Sequence, residues 1–577
     1  MRLPDLESHR ILRGMATYAR RNLSGDLTAG LTVGIMLIPQ GMAYALLGGM
    51  PPIYGLYASL VPLFVYALAG SSRHLAAGTV AIDSLIMVFA LSAMAETGTD
   101  RYVELALMFA FMVGVIHLIL AAGRLGFLIN LLSRPAILGF ISAAAAMIGF
   151  SQLSNILGLE LRRSQYIYDI LYDAARHIRE THMLSLLIGL CGAFLLIILH
   201  RWRKIPTALL VVVAATILTW ALRLDRYGVA IVGSIPVGLP HFALPVVDWV
   251  AFKTLAPTAL MLALIQFTNV GSLGKAFAAR HNYTIKPNQE LFALGLANIA
   301  GSFFQSYPIS GSFSRTAVNE QSGGKTRASN AVAASLIVLT LLVLTPLLYY
   351  LPIPILASII MVAAFGMINV KELRHLYRMK RTDGHLAVMT FLVTLVFGLE
   401  PGILVGIAAS VVAIMYRISR PNFAILGHLP GTRSFRDVDL YPEATEIEGI
   451  LILRVDASFS YANADFLKDL ILSKCDPASH RIRAVVIDAS SVNDLDTTAV
   501  SALFSILENL SRHEIEMYFT GLHGSVEGVL QRSGLADRIG RDHILLSPYR
   551  AVRRIQGLPE NEPYGIGAEE PAATLTD

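Results

Sequence analysis

The chain has 577 residues, 54% of them hydrophobic and 15% charged, with a formal net charge of +5 and a mean hydropathy of +0.58. Soluble chains carry about a quarter charged residues, so a wholly soluble protein is excluded. The small positive charge is dispersed in short loops and reads as topology determinants, not as a nucleic-acid surface.

Residues 1–25 carry Arg10, Arg13, Arg20 and Arg21 but no short apolar core with a cleavage site. They predict a cytoplasmic lead-in rather than a signal peptide. Residues 26–420 then predict an all-α polytopic membrane domain of about fourteen spans, from apolar runs of about 17–25 residues. In the first half the spans are 27–47, 51–70, 76–95, 102–122, 127–157, 181–201 and 205–222. In the second they are 252–279, 289–304, 308–321, 328–351, 353–370, 385–399 and 401–418. The basic segments 200–204, 371–381 and 417–420 fall on the side of the N-terminus, which places both termini in the cytoplasm. The 159–182 loop, with Arg162, Arg163, Arg176 and Arg179, falls on the opposite side and runs against that rule.

Residues 305–319 interrupt an apolar stretch and set Arg315 at membrane depth. A charge there costs roughly 2.5–3.5 kcal/mol even on the gentler insertion scales, so it is paired, wet or functional. Pro308 suits a helix start, and Ser310, Gly311 and Ser312 supply cap residues and a permissive backbone. A half-helix whose free N–H groups and positive dipole end face a cavity is an anion site. The segment Gly78-Thr-Val-Ala-Ile-Asp83 echoes Gly311-Ser-Phe-Ser-Arg-Thr316 at the corresponding place in the first half. Paired interruptions of this kind point to a transport site at a repeat interface.

Beyond the membrane spans, residues 433–557 alternate apolar strands (449–455, 484–488) with helical spacing (462–475, 496–510), which predicts a small cytoplasmic α/β domain. Asp496-Thr497-Thr498 falls at a strand-to-helix turn, where Thr497 or Thr498 can cap the helix. The tail, 558–577, has a disordered composition. Cys191 and Cys475 lie in different regions, so no disulfide framework is expected. No Walker A segment, nucleophile–base pair or metal-ligand cluster is present, so the sequence predicts no enzyme, no cofactor and no metal.

Ile38-Pro-Gln-Gly-Met-Ala-Tyr44, Pro51-Pro-Ile-Tyr-Gly-Leu-Tyr-Ala-Ser59, Gly70-Ser-Ser-Arg-His74, Pro287-Asn-Gln-Glu-Leu291 and Gly311-Ser-Phe-Ser-Arg-Thr-Ala-Val-Asn319 together resemble the sulfate permease (SulP) family of anion transporters. Phe459-Ser-Tyr-Ala-Asn-Ala464 and Val492-Asn-Asp-Leu-Asp-Thr-Thr-Ala-Val500 resemble a STAS domain. The resemblance implies a seven-plus-seven inverted repeat, a core domain moving against a gate domain, a homodimer and inorganic anions as cargo, sulfate first. It implies an anion site formed by Gln40, Tyr44, Thr79, Val80, Ala81, Ser312, Phe313, Ser314 and Arg315. It also implies that a STAS hydroxyl, here Thr497 or Thr498, is a candidate for phosphorylation, with a possible cytoplasmic partner at that domain.

Proton-coupled relatives carry a carboxylate in the eighth span where this chain has Asn269. Asp83, one position beyond the echo's counterpart of Arg315, is the candidate replacement: an acid facing Arg315 when the anion is absent and protonated when it is present. The expected protein is therefore an H⁺-coupled sulfate carrier of a bacterial inner membrane. Bicarbonate or another small anion, moved with Na⁺ or by exchange, is the alternative on the same fold. An anion channel and an anion sensor are alternatives of other classes.

Overall fold

The computed structural model describes residues 22–130, 133–159, 161, 164, 166–199, 207–246, 248–475 and 482–559. The N-terminal lead-in before Asn22, the basic 200–204 segment, Arg162, Arg163 and the end of the tail lie outside the described residues. The chain divides into two compact units, residues 1–410 and 411–577.

In the first unit the chain runs through α1 (Leu23–Leu47), α2 (Pro52–Tyr57), α3 (Val61–Ala69), strand β1 (Ala77–Gly78), α4 (Ala81–Leu91) and α5 (Asp100–Ala122). It continues through α6 (Arg134–Ser151), α7 (Leu153–Leu157), α8 (Ile167–Arg176), α9 (Met183–Leu199) and α10 (Thr207–Leu222). The second half holds α11 (Trp249–Arg280), α12 (Pro287–Phe303), strand β2 (Ser310–Gly311), α13 (Phe313–Gln321) and α14 (Ala328–Leu339). It closes with α15 (Ile353–Gly366), α16 (Val370–Met379), α17 (Arg381–Phe397) and α18 (Leu399–Ser419), the last running on into the second unit. Among the described residues, eight helical stretches are long and apolar enough to cross a membrane, and α4, α9 and α10 are shorter apolar helices. With α12, α13 and α17 these occupy every predicted span.

Small residues set the packing, as they do where lipid offers no hydrophobic drive between helices. A Cβ on Gly30 would lie 2.5 Å from Ser329 O, and one on Gly34 3.2 Å from Ala333 O, so α1 and α14 touch backbone to backbone. Gly114 and Gly295 do the same for α5 and α12, and Gly139 for α6 against α17. A Cβ on Gly55 would sit 1.9 Å from Gly41 O, which locks α2 onto α1.

The second unit carries a six-stranded sheet of β3 (Phe423–His428), β4 (Phe435–Asp437), β5 (Ile450–Val455), β6 (Ala484–Asp488), β7 (Glu516–Thr520) and β8 (Ile544–Leu545). Their spatial order is β4-β3-β5-β6-β7-β8, parallel from β5 to β8, with β3 antiparallel to β5 and β4 antiparallel to β3. Period-two alternation divides the two faces. Leu451, Leu453 and Val455 join a core with α19 (Ala464–Lys474), α20 (Thr497–Arg512) and α21 (Gly524–Arg532). Ile450 and Ile452 face the helix Pro548–Ile555.

Candidate anion site

Two very short strands cross inside the membrane unit. Ala77 pairs with Gly311 and Gly78 with Ser310, antiparallel. Each strand runs into a short helix, α4 of 11 residues and α13 of 9. At 1.5 Å per residue these are roughly 16 and 13 Å long, about half of a hydrocarbon core. Because the strands are antiparallel, the two helices leave the crossing in opposite directions with their N-termini turned toward it. The helix therefore starts at Phe313, not at Pro308 as the sequence suggests. Residues ahead of it are extended and satisfied across the crossing, with Ser312 N donating to Ala76 O (3.1 Å).

Polar side chains of buried helices hold this crossing in place. Asn330 accepts from Ala77 N (3.1 Å) and donates to Leu75 O (2.8 Å). Asn298 accepts from Ile309 N (2.9 Å) and donates to Ile309 O (3.2 Å). Thr316 Oγ1 takes the N–H of Ala76 (3.0 Å), and Asn319 donates to His74 O (2.8 Å). Glu290, fully buried, accepts from Tyr66 OH, Ser71 N, Ser71 Oγ and Ser72 N, all at 2.6–2.8 Å. That carboxylate fixes the 70–74 turn leading into β1. Asp26, also buried, does the same for the turn after α13, taking Lys325 N (2.7 Å) and Thr326 N (2.9 Å).

The Arg315 side chain is wholly buried. Its Nη2 donates to Thr79 O (2.7 Å) and its Nη1 to Gln40 Oε1 (3.4 Å), while Nε has no partner. Gly78 makes room for it: φ is +136°, and a Cβ would stand 3.3 Å from Nη2. Ser312 caps α13 through Arg315 N (3.5 Å), and its Oγ lies 3.2 Å from Ser314 Oγ. Val80 gives α4 no side-chain cap, so no cap side chain occupies the N–H groups of its first turn. Gln40 and Tyr44 are buried on α1, as are Thr79 and Ala81 at the crossing. Phe313 (63% exposed) and Ser314 stand at the surface, so the start of α13 is reachable while the guanidinium lies behind it.

Asp83 does not take the partner expected for it. Its Oδ2 accepts from Gln266 Nε2 of α11 (2.9 Å), and the hydrogen bonds of Arg315 go to neutral groups. Arg315 still lies within electrostatic reach of Asp83. Asn269, one turn beyond Gln266, donates to Gly311 O (2.9 Å) and so holds β2 from the α11 side. His117 bonds Ala263 O (2.9 Å), a link between α5 and α11. Sequence reasoning missed Gln266, and also Tyr307, whose buried hydroxyl faces Thr79 and Ser84. A lone Gln or Tyr in an apolar run gives no sign of a partner far away in the chain.

In the second unit the cap of α20 is Asp496, not Thr497 or Thr498. Its carboxylate accepts from Ala499 N (2.8 Å) and from Tyr461 N (2.6 Å), and an ionised oxygen outcompetes a hydroxyl for those donors. Both threonines are left exposed in the first turn.

Comparison with known proteins matches residues 23–390 to the sulfate permease family and residues 441–551 to the STAS domain. Chloroplastic sulfate transporter 4.1 of Arabidopsis thaliana is 37% identical over 544 residues, covering 92% of this chain and 79% of the relative. A probable sulfate transporter of Mycobacterium tuberculosis is 35% identical over 537 residues, covering 93% and 96%. The solved structure of the murine SLC26A9 anion transporter in the inward-facing state superposes with a TM-score of 0.84 at 26% identity, covering 93% of this chain and 92% of that one. The transmembrane domain of a cyanobacterium bicarbonate transporter, BicA, shares the fold, with a TM-score of 0.59 at 20% identity over 68% of this chain and 98% of that one.

Proposed function

The chain belongs to the sulfate permease family, and from that premise we propose that it is a secondary active transporter that takes up sulfate with H⁺ by alternating access. It is an integral membrane transporter of anions and not an enzyme. The observation that carries the site is the antiparallel crossing of β1 and β2, which turns two uncapped or lightly capped helix starts toward a buried guanidinium.

A tetrahedral oxyanion accepts hydrogen bonds from all sides. The first-turn N–H groups of α4 and α13 offer fixed donors there, and Ser312, Ser314, Gln40 and Tyr44 add side-chain ones. Arg315 supplies the charge. Asp83 couples the proton in this reading: ionised, it competes with the anion for the field of Arg315, and protonated it does not. Movement of the segments that carry the crossing against the remaining helices would then expose the loaded site to either side. A homodimer in a bacterial inner membrane completes the reading, with exposed Thr497 and Thr498 as the hydroxyls open to phosphorylation. Asn269 favours a second reading, exchange or Na⁺-coupled transport of a smaller anion such as bicarbonate, because an amide carries no transportable proton.

Uptake of labelled sulfate into proteoliposomes under separately imposed H⁺ and Na⁺ gradients tests both. The first reading predicts saturable accumulation driven by an inward H⁺ gradient, and an Asp83→Asn variant that binds sulfate but no longer accumulates it. Concentrative, pH-driven uptake by Asp83→Asn would remove Asp83 from the coupling role. Drive by Na⁺ alone would favour the second reading, and a linear voltage-driven current would favour a channel.

A further inference from the structure

At the end of the membrane unit where α1 begins, Asn22, Arg73, His74, His281, Lys325, Thr326 and Arg327 line a cavity of about 610 Å³. They come from four segments: the start of α1, the α3–β1 connection, the end of α11 and the α13–α14 turn. None of these described lining residues is a carboxylate. Its size falls in the range of small-molecule sites and exceeds what a lone tetrahedral anion needs.

The basic groups are held in place. Arg327 Nη1 donates to the carbonyls of Leu68 and Gly70 at the end of α3. The Arg73 guanidinium lies 5.1 Å from the centre of the Tyr283 ring. His74 stacks on His281 with ring centres 4.2 Å apart, and its Nδ1 lies 3.2 Å from Tyr283 OH. Among the described residues, the acids that act on His74 are engaged elsewhere, Glu320 with His281 Nε2 (2.6 Å) and Arg280 (3.7 Å), and Asp26 with the 325–326 turn. Burial, and then the charge of His281, hold His74 below the usual imidazole range, with Arg73 acting the same way and Glu320 and Asp26 against it. An imidazole stacked on His281 and beside Arg73, as His74 is, resists protonation unless an anion joins it.

We propose that this cavity is a second oxyanion site, distinct from the strand crossing, that takes a phosphomonoester-type dianion, either a soluble phosphate or a lipid headgroup. Arg73 and Lys325 contact the oxyanion, and the imidazole of His74 takes up a proton as it binds. The site reads directly onto the cargo machinery. His74 lies three residues before Ala77 of β1, its carbonyl is held by Asn319 of α13, and His281 is bonded to Glu320 of α13. Occupancy would clamp the segments on both sides of the crossing.

The test uses the full-length protein in nanodiscs carrying Arg315→Ala, so that the crossing no longer supplies its charge. Titration with inorganic phosphate is expected to saturate in this background. Adding Arg73→Ala and Lys325→Ala together should weaken it by about tenfold or more, the loss of charge-assisted hydrogen bonds. Arg73→Ala alone, at an exposed side chain, should weaken it severalfold and serves if the double variant misfolds. Nanodiscs containing phosphatidic acid that block inorganic phosphate would identify the lipid source, and unaltered titration in them the soluble one. Absence of saturable binding in both arms, or binding that ignores Arg73→Ala in folded protein, would overturn the proposal.

Discussion

Arg315 buries a full positive charge while its hydrogen bonds end on two neutral oxygens, Gln40 Oε1 and Thr79 O. Neutral acceptors satisfy direction but not charge, and a buried cation with no carboxylate on its hydrogen-bonding groups is costly. A bound anion removes that cost, which is the residue-scale reason to place the cargo here. The planar fork matters as well, since one arm is spent on Thr79 while Nε remains without a partner. Arg315→Lys keeps the charge and loses the fork. It should weaken sulfate binding by roughly ten- to a hundredfold, or about 1.4–2.8 kcal/mol, in equilibrium binding to the purified protein. Unchanged affinity would mean that charge alone is recognised.

The two half-helices depend on backbone freedom at one position. Gly78 has φ of +136°, and its missing Cβ leaves space for Leu37 and for the Arg315 guanidinium. Gly78→Ala should cost about 1–3 kcal/mol from strain, lower the thermal midpoint and weaken sulfate binding together. Gly98 is the control, because φ is +82° but nothing lies within 4 Å. Gly98→Ala should lower stability alone, and equal effects on sulfate affinity from both would refute a role for Gly78 in shaping the site. This element was half legible in the sequence. A polar, glycine-bearing run inside apolar sequence reveals a broken helix, as residues 305–319 do. Two-residue strands have no periodicity to read, so Pro308 looked like a helix start when it belongs to the extended approach to β2. The echo at Gly78–Asp83 likewise located the second half-helix but not the Gln266 that bonds Asp83. The sequence shows Glu290 only as part of the Pro287–Leu291 segment and gives no role to it or to Asp26, because an acid in the first turn of a span looks like a surface residue until the opposite turn folds onto it.

At the scale of the molecule, apolar run length located the longer spans, because the thickness of a bilayer fixes the length of what crosses it. Alternating strand and helix periods located two strands of the six-stranded C-terminal sheet, 450–455 and 484–488, but not the strand Phe423–His428 that precedes the expected domain. What neither period carries is the pairing of distant segments, and the function proposed here rests on one such pairing. Its most direct test is saturation binding of labelled sulfate to the folded, full-length protein and to Arg315→Ala, with competition by unlabelled anions. The account predicts a saturable site in the native protein and an affinity lower by about a hundredfold in the variant, some 2.8 kcal/mol, with its fold retained. Equal affinity in the two proteins would contradict it.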